Sequence, residues 1–308
     1  MARLFFEDEN ASQRWRYYLH LSRFHPYTTL QKQIIKVYEP YQSLISKYSS
    51  ECERNIHPLE TQYLEEHPEV SLQNIALLKN SMQLWKDASN TSEAIAPVLH
   101  HYCFHCFISF FIYTFFRWEP EHTKSHGVRL SKWSENIPEI EIQFIEKGGL
   151  FQRFVDTWTL LGASLAFSPV MPIFEEDEII FIKNNDYILK DKKYLTLKEL
   201  TEFKPREFEK KVLKKFGDKL IKCHFIGGSA IMQVNNNLKN YLILYLASNI
   251  ARYRPYLWEI ILDGKTFEYS NFARDSTTAL YDLSINNLLG NVQDLFWSIE
   301  NQYFSITH

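Results

Sequence analysis

From Ala94 to Phe116 the chain reads AIAPVLHHYCFHCFISFFIYTFF, with no Asp, Glu, Lys or Arg. A charge-free run of this length is either the central helix of a protein core or a membrane span. Three ring-bearing polar residues fall in its first half (His100, His101, His105), and Ser109 and Thr114 follow. Imidazoles facing lipid would be costly, and the apolar content is Phe-rich rather than Leu/Ile/Val-rich. The reading is therefore a buried core helix, with no membrane association. Asn90-Thr91-Ser92-Glu93 supplies capping side chains ahead of it, and Pro97 falls in the tolerant first turn.

Composition agrees with a packed protein. The 308 residues are 45% hydrophobic and 16% aromatic, with only 9 Gly and 11 Pro, which excludes a disordered or fibrous chain. A formal charge of −3 gives no global pull toward nucleic acid or anionic membrane, so any basic surface is local. Four irregularly spaced cysteines (Cys52, Cys103, Cys106, Cys223) do not form a disulfide framework. The start of the chain, MARLFFEDENASQRW, turns acidic without an apolar signal core. A cytoplasmic location is expected.

Outward from the apolar run, helical periodicity covers residues 11–24, ended by His25-Pro26; residues 30–48, broken at Pro40; and residues 71–88, with Leu72, Ile75, Leu78, Met82 and Trp85 on one face. Beyond it the period changes to two: Ile140, Ile142 and Phe144 mark a strand closed by Gly148-Gly149. Residues 150–165 read as a helix. Two hairpins are expected, one pairing residues 177–183 with 187–189 across Asn184-Asn185-Asp186, the other pairing 223–226 with 230–234 across Gly227-Gly228-Ser229. Helices return over residues 238–262 and 277–303. The expected fold is α+β, predominantly α-helical with a small, mostly antiparallel strand region. Residues 1–90 make an N-terminal helical region, and residues 91–308 a helical core with a small β region inserted at about 139–235.

Several ordered features resemble the YaaC-like family. They are Ala96-Pro97-Val98-Leu99 opening the aromatic helix, His126-Gly127-Val128, a strand leading to Gly149-Leu150-Phe151, and Ala251-Arg252-Tyr253-Arg254-Pro255-Tyr256-Leu257-Trp258. The resemblance spans about residues 93–296 and is weakest over 169–236. It implies a fold and a cytoplasmic prokaryotic setting, with no reaction attached and no catalytic residues to carry over.

The residues themselves offer candidates for chemistry. Arg117 and His122 have the R-x4-H spacing that resembles HEPN ribonuclease domains, where a His moves the 2′-hydroxyl proton and an Arg stabilises the phosphorane. Trp118 and Glu119-Pro120 interrupt the helical context such motifs have. From Lys204 to Lys222, KPREFEKKVLKKFGDKLIK carries eight Lys or Arg against three acids. Lys210, Lys211, Lys214 and Lys215 are its candidates for nucleic-acid phosphates, and a solvated amphipathic helix is the alternative. Arg252 and Arg254, interleaved with aromatics, suit a phosphate- or carboxylate-binding surface. The preferred alternative has them pairing with Glu259 and Asp263 while the rings enter the core. His126 is a functional side chain or, preferred, a turn histidine bonded to a carbonyl.

His101 and His105 lie four apart, but Cys103 sits roughly 160° away around the helix, so no metal site is expected there. Asp191-Lys192-Lys193 is expected in a turn or loop. The sequence lacks G-x4-G-K-[ST], G-x-S-x-G and H-E-x-x-H, so no cofactor or classical hydrolase chemistry is implied. The functional expectation is a non-catalytic binding or accessory subunit of a prokaryotic multi-protein system, such as antiphage defence, with protein partners. The alternative is a metal-independent ribonuclease using Arg117 and His122.

Overall fold

The computed structural model describes residues 9–51, 56–117, 125–134, 136, 139–145, 149–160, 170–175, 178–183, 194–198, 228–263 and 277–307. Most of these are helical, with small antiparallel sheets, so the fold is α+β and predominantly α.

The apolar run forms α6, Ala96–Phe115, and Pro97 occupies its first turn. The helix is long and apolar enough to cross a membrane, yet most of it is buried among the protein's own elements. Because it is apolar on nearly every side, it must be surrounded. Packed on it are α2 (Phe24–Tyr38), α5 (Pro68–Ser89), α7 (Leu150–Leu160), α8 (Gly228–Tyr253) and α10 (Thr277–Thr307). Phe104, Phe107, Phe110 and Phe111 have no exposed surface, and each contributes on the order of 2–3 kcal/mol by leaving water. No side chain caps the start of α6. The expected Asn90–Glu93 cap is instead a backbone turn, in which the Ile95 and Ala96 amides donate to the Ser92 carbonyl at 2.9 Å.

The N-terminal helices follow their apolar spacing with two adjustments. The first helix, α1 (Glu9–Leu21), ends before Ser22, and His25-Pro26 opens α2 rather than closing α1. Proline suits a first helical turn, where an N–H has no partner. At Pro40 a 3₁₀ turn, Glu39–Tyr41, joins α2 to α3 (Gln42–Glu51). On α5 the inward face is Ser71, Asn74, Ile75, Leu78 and Ser81, whereas Leu72 is exposed. The short α4 (Thr61–Glu66) and residues 57–59 clamp the end of α6: the Leu59 amide donates to the Phe115 carbonyl and the Arg117 amide to the His57 carbonyl, both at 2.9 Å.

The strands sit beside this bundle. β1 (Val128–Lys132), β2 (Glu141–Phe144) and β5 (Tyr194–Thr196) form an antiparallel sheet ordered β1-β2-β5. Val128 pairs with Phe144 and Leu130 with Ile142. Of the two expected hairpins, the second needs correction. β4 (Glu178–Lys183) pairs with β3 (Val170–Glu175), and residues 187–189, its expected partner, lie outside the described residues. Pro172 makes 170–175 an unpromising strand by sequence, but a two-stranded pair has a free edge that tolerates it. Residues 230–234 belong to α8 rather than to a strand. A short apolar run does not distinguish strand from buried helix, and continuity with the strongly helical stretch that follows prevails. Residues 223–226 lie outside the described residues.

Near Arg254 the chain breaks as Pro255 requires: α8 stops at Tyr253 and α9 (Pro255–Asp263) restarts. The Trp258 indole donates to the Glu93 carbonyl at 3.1 Å, which fixes this junction against the entrance of α6.

Candidate functional site: a histidine–tyrosine–arginine cluster

Two conformationally special residues place His126. Gly127 has φ 73° and Gly149 φ 90°, values that suit glycine. A Cβ on Gly127 would lie 3.1 Å from the Phe151 amide nitrogen, and one on Gly149 would lie 2.6 Å from the Ser125 hydroxyl. The two turns therefore touch, and backbone bonds lock them: Leu150 donates to the Ser125 carbonyl at 2.8 Å and Phe151 to the His126 carbonyl at 3.0 Å. The Tyr241 hydroxyl also donates to the His126 carbonyl, at 3.2 Å.

The expectation that His126 bonds a carbonyl is thus reversed: its own carbonyl is the acceptor, and its ring Nδ1 has no hydrogen-bond partner among the described residues. The ring turns toward α6 and α8, with its centre 5.0 Å from that of His101, 5.2 Å from His105 and 5.3 Å from Tyr245. His101 and His105, 6.4 Å apart, occupy one face of α6 as their spacing dictates. Cys103 points elsewhere, toward Ser81 on α5 at 3.5 Å. Among the described residues no group of three or more His, Cys, Asp or Glu side chains is arranged to hold a metal ion.

Tyr241, Tyr245, Ser248 and Arg252 follow one another at four, three and four residues, which places them on one face of α8. Tyr241 and Tyr245 contact the His101 ring at 5.9 and 5.6 Å. Arg252 ends the row at the surface. Its Nη1 donates to the Tyr102 hydroxyl at 2.8 Å, and its guanidinium lies 4.9 Å from the Tyr253 ring centre. Arg254 covers Trp133 at 5.3 Å. Neither arginine is ion-paired among the described residues, which corrects the expected pairing with Glu259 and Asp263. Nor do the neighbouring rings all enter the core: Trp258 does, but Tyr253 and Tyr256 are 55% and 52% exposed.

The histidines are electrically unusual. Burial, with the neighbouring His126, holds His105 at about 4. His101 lies well below the ordinary imidazole range, first through burial, then through His126, His105 and Arg252. His126 is lowered by burial and by Arg252. All three rings are therefore neutral at pH 7, each with one donor and one acceptor nitrogen. Burial also pushes the Tyr245 hydroxyl up.

The remaining candidates fall elsewhere. The Arg117 guanidinium donates to the Glu60 carboxylate at 2.6 Å and lies 4.9 Å from the Tyr63 ring centre. A phosphorane-stabilising arginine would have to give up that engagement. His122, Asp191-Lys192-Lys193 and the basic segment from Lys204 to Lys222, with Lys210, Lys211, Lys214 and Lys215, lie outside the described residues. The structure therefore brings His126 and Arg252 into one cluster, sets Arg254 beside it, and adds His101, His105, Tyr241, Tyr245 and Ser248. The spacing along α8 was a signal for the last three, but it had no partner to face until the fold placed α6 across from it.

Comparison with protein-family models, with curated proteins and with solved structures finds no match.

Proposed function

We propose that the protein is a non-catalytic binding subunit of a prokaryotic multi-protein system, of which antiphage defence is one setting, and that it docks a protein partner at the α8–α9 junction. One observation carries this reading: Arg252 and Arg254 are exposed, free of ion pairs among the described residues, and stacked on aromatic rings, with Tyr253 and Tyr256 exposed beside them. Arginine and tyrosine are enriched where proteins meet, because a planar guanidinium and a flat ring bring large contact area with few torsions to freeze. Two unpaired cations suit an acidic segment on the partner. Pro255 fixes the surface by setting the angle at which α9 leaves α8.

The test compares capture of host proteins by the wild-type chain and by an Arg254→Glu/Tyr256→Ala variant, both nuclease-treated. A stoichiometric protein held by the first and lost by the second is expected. A protein recovered without partners, or a partner held equally by both, would remove the proposal. In the first of those cases, RNA cleavage by the chain alone and its loss on His122→Ala becomes the next measurement.

A further inference from the structure

Beneath Arg252 lies a group of buried polar atoms left unpartnered. Both ring nitrogens of His101, the Nδ1 atoms of His105 and His126, and the Ser248 hydroxyl are shielded from solvent and make no hydrogen bond among the described residues. His101 is 2% exposed and Ser248 1%. A buried donor or acceptor without a partner is destabilising, and several in one place indicate a missing occupant.

The chemistry of the surroundings selects that occupant. Apart from the rings themselves, the group whose charge bears on His101 and His126 is Arg252, and His105 feels the His126 ring. Tyr241 and Tyr245 face the rings from α8, and no described carboxylate does. A cation would meet a guanidinium and find no counter-charge, and the rings are not arranged as metal ligands. An oxyanion meets the opposite situation: a guanidinium fork steadied by the Tyr102 hydroxyl at 2.8 Å, with imidazole N–H groups behind it.

We propose that Arg252, His126, His101 and His105 form a site for a phosphate-type oxyanion, with the guanidinium at its mouth and the imidazoles beneath. The anion's charge favours imidazolium, so rings that are neutral in the free protein take up a proton from solvent as the site fills. Free phosphate and a phosphate ester of a nucleotide or nucleic acid share this chemistry. The site goes beyond partner docking and shares Arg252 with that surface; the docking variant changes Arg254 and Tyr256 and leaves Arg252 in place, so loss of partner capture in that variant and loss of phosphate binding on Arg252→Gln are read separately.

The experiment is calorimetric titration of the full chain with inorganic phosphate, in two buffers of different ionisation enthalpy, alongside the histidine ring resonances by NMR. Saturable binding with buffer-dependent heat is expected, weakened at least about tenfold by Arg252→Gln, an exposed position where folding is not at stake. His126→Gln should reduce the proton uptake. Repeating the titration with a single-stranded oligonucleotide distinguishes the sources: tighter binding than phosphate assigns the site to a polymer, and equal or weaker binding to the free anion. Absence of saturable heat and of ring shifts at tens of millimolar phosphate would overturn the assignment, as would binding indifferent to Arg252→Gln. Saturable binding of zinc in place of phosphate would also overturn it.

Discussion

At the scale of single residues, the histidines of α6 make the protein sensitive to acid. Burial holds His100 and His105 at about 4, and His101 lies lower than an ordinary imidazole. In the unfolded chain each titrates near about 6.5. A folded-state value below the unfolded one means that the unfolded chain binds protons first as pH falls. Stability is therefore undiminished above about pH 6.5 and declines progressively toward about pH 4, by about 2 kcal/mol for each of His100 and His105 at pH 5. Urea unfolding at pH 7.5 and pH 5 should show a lower midpoint at the acid value, and equal midpoints would refute the account. The four-residue spacing of His101 and His105 is plain in the sequence. Their convergence with His126 is not, because it depends on two glycine turns meeting and on which face of α8 lies opposite.

At the scale of elements, α2, α5 and α6 are joined by a buried polar knot. The Asn74 amide donates to the Phe110 carbonyl at 3.0 Å and to the Thr114 hydroxyl at 3.3 Å, and it also contacts the Tyr27 hydroxyl. Thr114 in turn donates to the Phe110 carbonyl at 2.8 Å. Asn74→Ala removes the shared donor and leaves the Tyr27 and Thr114 hydroxyls short of a partner, so a loss of about 2–3 kcal/mol is expected in denaturant unfolding. A change below about 0.5 kcal/mol would show that the knot is not holding these helices together. Such polar contacts also explain the limits of reading elements from pattern. The inward face of α5 includes Ser71, Asn74 and Ser81, so apolar spacing alone turns the helix slightly and puts Leu72 inside. Long helices are legible because they repeat the 3.6-residue period over many turns. Pro172 obscures β3 in the sequence, and residues 230–234 are too short a run to show whether their period is that of a strand or of a helix.

At the scale of the whole molecule, the first helices and the last share one core. Trp15 and Tyr18 of α1 place their rings 6.1 and 5.1 Å from Phe107 of α6, and the Tyr18 hydroxyl donates to the Leu289 carbonyl of α10 at 2.6 Å. Phe110 of α6 meets Tyr27 of α2 on one side and Phe296 of α10 on another, at 5.7 and 6.4 Å. The contiguous core runs from Trp15 to Ile299, so neither the N-terminal helices nor the remainder covers α6 alone. A helix apolar on all sides gains its stability only when every side is covered, and partial coverage would leave a row of phenylalanines in water. Thermal unfolding should therefore proceed as one cooperative transition, and residues 91–308 expressed alone should aggregate or bind hydrophobic dyes. Two well-separated calorimetric transitions, or a soluble 91–308 fragment with dispersed NMR resonances, would instead show that the two regions fold independently.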